Sequence, residues 1–176
     1  MKKIIAFILT ASVLLVLASC GDYTDHPEYS DVTYKERGLE FTLRNDMRRS
    51  ETDDYDFYFT NLAGTMVFSA SKVNSKVLSS VGLDSSASPQ NYVDAIIERN
   101  GFDREMIYYS YDESRGIHSF RYSIGDDSGG IFYYVAVLGD AGNVWYVEMV
   151  CSEEDSGLYV DRFDTFKNSL RTYTEQ

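Results

Sequence analysis

Residues 131–138 read Ile-Phe-Tyr-Tyr-Val-Ala-Val-Leu, and this run decides the fold. A strand with one solvated face alternates apolar and polar residues, whereas this run is apolar throughout. Glycine-rich stretches at 125–130 and 139–142 bound it on both sides. We therefore predict a central strand of a sheet that is covered on both faces.

Other segments with strand patterns surround this run in the sequence. Short stretches of turn residues separate most of them, so neighbouring strands should be antiparallel. Leu39, Phe41 and Leu43 alternate with polar residues, which indicates one buried face. The further predicted strands are 54–59 and 65–72, joined through 61–64, and then 105–111, 116–124 and 143–151.

Two helices are predicted from capping residues and apolar stripes. Ser88-Pro89 starts the first, whose stripe ends before Asn100-Gly101. The second follows the acidic residues 153–156 and has Tyr159, Phe163, Phe166 and Leu170 on one side, with Asp161, Arg162, Lys167 and Asn168 on the other. The element order β-β-β-α-β-β-β-β-α predicts an α+β domain, a single antiparallel β-sheet of about seven strands covered by two main helices.

The N-terminus has the pattern of an export signal. Lys2 and Lys3 precede an apolar run over 4–18, which is too short for a typical spanning helix. Leu17-Ala18-Ser19-Cys20 then resembles the lipobox of bacterial lipoproteins. The resemblance implies that the Cys20 thiol receives lipid before cleavage, while a plain secretory signal with an incidental cysteine is the alternative.

These features predict three parts, which are a signal peptide (1–19), a lipidated tether (20–35) and one domain (36–176). Membrane lipid at Cys20 would hold the protein on the outer leaflet of the cell membrane. In a Gram-negative host the resemblance implies the outer membrane, because Gly21 and not aspartate follows the cysteine. Cys151 would then be the only remaining thiol, buried in a strand and without a disulfide partner.

The charge of the chain restricts its partners. The formal net charge is −12, and removal of residues 1–19 leaves 14 Lys and Arg residues against 28 Asp and Glu residues, a charge of −14. Such a field repels nucleic acids and anionic lipid headgroups. Solubility alone explains the acidity, while a cationic partner and metal cations stay open as alternatives.

The search for catalytic and metal-binding patterns favours structural interpretations. Residues 125–130 look like the Gly-Asp-Ser-Gly-Gly segment of chymotrypsin-like proteases but contain an extra aspartate, so we interpret them as a hairpin turn. His26 lies in the tether, and His118 lies in a strand with Phe120, where we expect a packed or rim histidine and not a catalytic one. We interpret two acidic groups as loop charges exposed to solvent, namely the triplet Asp53-Asp54-x-Asp56 and the pair Asp126-Asp127. We therefore predict no catalytic residue, no cofactor and no metal ligand.

The strand order, the opening segment 38–43, the helix start 89–92 and the closing aromatic helix resemble PsbP-like domains of bacterial lipoproteins. The resemblance covers about residues 36–172 and implies a PsbP-like sandwich. Members are mostly non-catalytic assembly or accessory modules, so it implies binding and transfers no functional residue.

Three functions are consistent with the sequence. The chain has fifteen tyrosines, and we expect a minority of them to form a recognition surface while the rest fill the sheet. The first hypothesis is a non-catalytic module that binds an envelope protein or polymer. The second is a lipoprotein that binds a small molecule or cation for transport, and the third is a hydrolase with two carboxylates across a cleft. An exposed aromatic patch would favour the first, and a deep pocket with inward carboxylates the other two.

Overall fold

A computed structural model of the protein describes residues 29–126 and 129–174. The predicted signal peptide, Cys20 and His26 lie outside these residues. Within them, helices and strands form a mixed α+β fold, so the predicted fold class is confirmed.

The described residues form ten strands and three helices. The strands are β1 (Asp31–Glu36), β2 (Leu39–Arg44), β3 (Met47–Arg49), β4 (Phe57–Asn61), β5 (Met66–Lys72), β6 (Ser110–Asp112), β7 (Ile117–Asp126), β8 (Gly129–Asp140), β9 (Asn143–Ser152) and β10 (Arg171–Thr172). The helices are α1 (Ser75–Ser80), α2 (Pro89–Asn100) and α3 (Ser156–Ser169).

Seven strands form one antiparallel sheet in the order β3-β4-β5-β9-β8-β7-β6. The run 131–138 lies in β8, between β9 and β7, so its predicted interior position is confirmed. Side chains alternate between the faces of a strand, and both sets in β8 are buried. Tyr133, Val135 and Val137 pack in one cluster with α1 and α2 on what we call the α2 face. The alternate residues pack on the opposite α3 face with helix α3 and the second sheet.

The second sheet has the order β1-β2-β10, so the prediction of a single sheet is wrong. The alternation of β2 is as predicted, since Leu39, Phe41 and Leu43 are fully buried. However, β2 pairs with β1 and β10 and lies across the α3 face of the large sheet. The Phe41 ring stacks 4.8 Å from the Phe68 ring of β5. Stacking of the two inner faces therefore replaces the edge pairing that we expected.

Strand β1 begins inside the segment predicted to be a tether, so that prediction is wrong for residues 31–35. Val32 and Tyr34 face inward, and the Tyr34 ring lies 4.8 Å from that of Phe59. Two inward apolar residues are too few to produce a clear period in the sequence. Segment 31–36 is a strand because its backbone pairs with β2, and this pairing cannot be seen in the sequence.

The two predicted helices are present. The Ser88 side chain accepts from the Asn91 N–H in a capping box, Pro89 is the first helical residue, and Gly101 ends α2 at φ 65°. In α3 the predicted stripe is buried, from Tyr159 to Leu170. Arg162 was expected on the solvent side, but it reaches inward to a buried aspartate described below.

Residues 104–108 form turns and β6 begins only at Ser110, so the predicted strand 105–111 is wrong except at its end. The Ile107 N–H donates to the Asp103 carbonyl, and the Tyr109 N–H to the Arg104 carbonyl. Those local bonds use the groups that a strand would offer to a neighbour. Only the three residues of β6 pair with β7. Helix α1 was not predicted, and it is a short helix capped by Asn74.

Candidate functional site

Exposed apolar side chains concentrate at one edge of the large sheet. In the described part of the chain six large hydrophobic residues are exposed, and four of them belong to β6, β7 or the turns just before β6. They are Met106 (78%), Tyr108 (71%), Tyr111 and Ile124. We call this area the β6–β7 edge. Two of the four are tyrosines, the residue type that we expected to contribute to a recognition surface.

The backbone of β7 is also open at this edge. Strand β6 pairs with only residues 117–119 of β7, and the Arg121 N–H donates to the Ile107 carbonyl at 2.7 Å. Backbone groups of a strand point alternately to its two sides, so those of Ser123 and Gly125 point outward like those of Arg121. Among the described residues no strand pairs with this outer side of residues 122–126.

His118 lies beside this edge and packs as predicted. It is buried, its Nδ1 is 2.9 Å from the Tyr109 hydroxyl, and the Tyr111 ring stacks on it at 4.4 Å. Burial is the main cause that lowers the pKa of His118; the nearby charge of Asp94 opposes the shift, and Arg104 adds to it. The imidazole is thus a neutral packing group at pH 7.

An open cleft of about 730 Å³ lies where helix α3 packs against the second sheet, which the Thr42 N–H joins to the helix by a 2.9 Å hydrogen bond to the Ser169 hydroxyl. Its volume lies in the range of small-molecule sites. Asp31 and Arg44 line one wall, and Asp161 and Arg162 line the other. Leu158 and Phe166 contribute apolar surface to the helix side. The proximity of these residues is not visible in the sequence, because the two walls come from opposite ends of the chain.

A buried ion pair supports the helix wall of this cleft. Asp46 is fully buried (0% exposed) and accepts a 2.5 Å hydrogen bond from Arg162, whose guanidinium lies 5.3 Å from the Phe166 ring centre. Oδ2 of Asp46 and Nε of Arg162 are buried with no hydrogen-bond partner in the described residues. The side chain of Arg162 is therefore held in place by charge and by stacking.

A second buried carboxyl lies on the α2 face of the large sheet. Glu148 accepts a 2.7 Å hydrogen bond from the Tyr146 hydroxyl. Burial raises the pKa of Glu148, and the bond from Tyr146 opposes this in part. Burial likewise raises the pKa of Tyr133 to about 12, with a contribution from the charge of Glu148. The sequence contains one signal for this buried carboxyl. Val144, Tyr146, Glu148 and Val150 alternate along β9 and share one face, and Glu148 is the only charged residue among them.

Residues of the acidic segment 53–56 and of the glycine-rich segment 125–130 make contacts that stabilise the fold. Oδ2 of Asp56 accepts from the Lys72 N–H at 2.8 Å, and its Oδ1 is 3.4 Å from Arg37. In residues 29–126 and 129–174 no three His, Cys, Asp or Glu side chains form a group that could hold a metal ion. Gly125 pairs with Gly130 in the hairpin of β7 and β8, as predicted for this turn, and a Cβ at Gly125 would be 2.4 Å from Gly130 Cα.

Cys151 occupies the buried strand position that the sequence predicted. Burial is the main cause that raises the pKa of its thiol to about 12, and Asp155 adds to this shift. No helix in the described part of the chain has the length and apolar character needed to cross a membrane. Cys20 and His26 belong to the residues outside that part.

The solved structures to which this chain is similar include the following three. A crystal structure from Bacteroides thetaiotaomicron has a TM-score of 0.48 and 11% identity, and the match covers 78% of this chain and 46% of that one. The cyanobacterial PsbP (CyanoP) of Synechocystis has a TM-score of 0.38 and 18% identity, with 89% and 99% covered. LpqN, involved in cell envelope biogenesis of Mycobacterium tuberculosis, has a TM-score of 0.41 and 8% identity, with 84% and 92% covered.

The chain spans about half the length of the Bacteroides protein. No protein-family model and no curated protein matches its sequence.

Proposed function

We propose that the protein is a lipid-anchored, extracytoplasmic and non-catalytic module that binds an envelope protein through its β6–β7 edge. The observation that carries this proposal is the grouping of Met106, Tyr108, Tyr111 and Ile124 beside the open backbone of β7. Methionine and tyrosine are enriched where proteins bind each other, and an open strand accepts an extended segment by strand addition.

The edge offers both parts of such an interaction. The outward backbone groups of Ser123 and Gly125 would supply hydrogen bonds to the partner, and the flanking apolar side chains would supply contact area. Arg121 stabilises one end of this surface, since its guanidinium lies between the rings of Tyr108 and Tyr134, at 5.8 and 5.2 Å from their centres. Tyr111 is held in place by its stacking on His118. The aromatic groups are therefore pre-ordered, which lowers the entropy cost of binding.

The net charge of −12 favours a basic partner segment over a second copy of the chain. Two copies would repel each other, while a segment with lysine or arginine would be attracted to an acidic protein. The predicted anchor places that partner at the membrane. The chain from Cys20 to Asp31 reaches at most about 40 Å when fully extended, so β1, where the described domain begins, would stay within that distance of the bilayer.

The backbone of β7 provides a specific test. The Ser123→Pro variant removes one outward N–H, whereas Ser123→Ala removes the hydroxyl and keeps that N–H. A photoreactive amino acid at position 108 of the full-length chain, expressed in a bacterium that lipidates it, should crosslink to a discrete envelope protein. We expect Ser123→Pro to abolish the adduct and Ser123→Ala to preserve it.

The same photoreactive group at Leu62, which is 57% exposed and lies away from β6 and β7, is the matched control. It should give no such adduct. Equal crosslinking from positions 62 and 108, or an adduct that survives Ser123→Pro, would exclude strand addition at this edge. Absence of any adduct from position 108 would exclude the edge as the binding surface.

A further inference from the structure

The cleft between the second sheet and helix α3 has an unusual distribution of charge. Asp31 and Arg44 are cross-strand register partners of β1 and β2, so they lie side by side on one wall. Asp161 and Arg162 are neighbours in α3 and line the other wall. One wall therefore presents a hydrogen-bond acceptor next to a donor, and the other presents the Asp161 acceptor next to a guanidinium that also donates to Asp46.

Both arginines have ordered surroundings. The Arg44 guanidinium lies 4.5 Å from the centre of the Tyr29 ring. Arg162 is fixed by Asp46 and by the Phe166 ring. Polar groups that are already in position lose little freedom when a ligand binds, so they can discriminate between ligands by hydrogen bonding.

The balance of charges argues against a simple ion. An anion would approach Arg44 and Arg162 but would also meet Asp31 and Asp161, and the buried Asp46 already neutralises Arg162. A bound metal cation needs several acidic oxygens at one point, and no such group of three occurs in the part of the chain that the structure describes. The cleft is suited to an uncharged ligand that both donates and accepts hydrogen bonds.

Adjacent hydroxyl groups on a sugar ring have this property, because each hydroxyl donates one hydrogen bond and accepts others. One hydroxyl can donate to an aspartate while its neighbour accepts from the adjacent arginine. The Thr42 and Thr165 hydroxyls also line the walls, where they bond the Thr33 hydroxyl and the Asp161 carbonyl and keep lone pairs that can accept from a ligand. Leu158, which is 66% exposed, offers an apolar surface to the C–H groups of a ring. The open shape would admit a chain of several sugar units.

We propose that this cleft binds a neutral oligosaccharide segment. The cleft is lined by β1, β2 and α3, whereas the docking edge is built by β6 and β7. The two sites can therefore be tested separately, and failure of one leaves the other unaffected. Asp31 and Asp161 are exposed, whereas a carboxylic acid that protonates a glycosidic oxygen needs a shielded environment. We therefore infer binding without cleavage.

The test is calorimetric titration of the full-length chain in detergent with hexasaccharides. Neutral probes are maltohexaose, cellohexaose and N-acetylated chitohexaose, while hexagalacturonate and deacetylated chitohexaose serve as anionic and cationic probes. We expect at least one neutral hexasaccharide to bind with a Kd below about 1 mM and the charged probes to bind at least ~10-fold more weakly.

The Asp161→Ala variant should weaken binding of that probe by about 10-fold, because it removes an acceptor from one wall without disturbing the helix. Glu98→Ala, at an exposed position of α2, is the matched control and should leave the Kd unchanged. The proposal is overturned if no neutral probe binds, if a charged probe binds more tightly, or if Asp161→Ala has no effect.

Discussion

The Tyr146 hydroxyl donates a hydrogen bond to Oε1 of Glu148, and the two side chains share the α2 face of β9. A carboxyl group is thereby placed under a helix, in the middle of an apolar sheet face. Tyr92 of α2 lies over this pair, with its ring edge-on to Tyr146 at 6.1 Å. Oε1 of Glu148 therefore has a hydrogen-bond donor, but the ionised form of the carboxyl is poorly solvated at this buried position.

The buried Glu148 predicts that stability falls as pH rises. Burial raises the pKa of this carboxyl in the folded state, so above the ordinary pKa of glutamate the folded protein binds more protons than the unfolded chain. Stability is then lost from about pH 4.5 up to the raised pKa, where the loss is complete. Glu148→Gln keeps an acceptor for Tyr146 and removes the charge, so it should flatten the pH profile and stabilise the protein at pH 7.

Urea unfolding of the full-length chain at a series of pH values measures this effect. Glu98→Gln is the control, since Glu98 is exposed on α2. If the profiles of Glu148→Gln and the wild-type protein run parallel from pH 4.5 to pH 8, Glu148 does not titrate as we predict.

The ion pair of Asp46 and Arg162 should be costly to break from one side. Arg162→Met leaves the buried Asp46 carboxylate without its partner, and we expect a loss of about 3–5 kcal/mol in the free energy of unfolding. The double variant Asp46→Leu, Arg162→Met removes both charges and should recover most of this loss. The exposed pair of Lys35 and Glu40, 3.0 Å apart, is the control, and Lys35→Met should cost less than ~1 kcal/mol. Equal losses in the single and double variants would contradict the explanation.

The thiol of Cys151 should be unreactive until the protein unfolds. It is buried, and its raised pKa keeps it protonated at pH 8, whereas the thiolate is the reactive form. In the Cys20→Ser chain, where Cys151 is the remaining cysteine, we expect labelling by a disulfide reagent to be at least ~10-fold slower in buffer than in urea. Thermal unfolding should not respond to reductant or chelator. Rapid labelling of the native chain would show that this strand opens.

The lipobox pattern predicts that Cys20→Ser prevents lipid attachment, because acyl transfer requires a sulfur nucleophile. The variant should accumulate as uncleaved precursor or be released slowly after cleavage at another site. Labelling with a fatty-acid analogue and mass spectrometry of the mature N-terminus are the measurements. A wild-type chain without label, or with an N-terminus other than Cys20, would refute the prediction.

The sequence by itself determined the local features of the fold. The capping of α2 by Ser88 and Pro89, the buried stripe of α3 and the interior position of 131–138 are all as predicted. These features depend on residues that are close in the chain, such as a hydroxyl three residues from an N–H or an apolar side chain repeated every second or fourth position. Their physical causes are therefore visible in the sequence.

Only the tertiary structure decided which elements meet. The second sheet depends on pairing of β1 with β2 and on stacking of Phe41 over Phe68, and neither contact leaves a period in the sequence. The two walls of the cleft come from residues 31–44 and 158–169, which are more than one hundred positions apart. The exposure of Tyr108 and the burial of Tyr134 likewise depend on the local turns and on the packing of α3. A tyrosine suits both environments, so tertiary packing alone assigns each one to the core or to the surface.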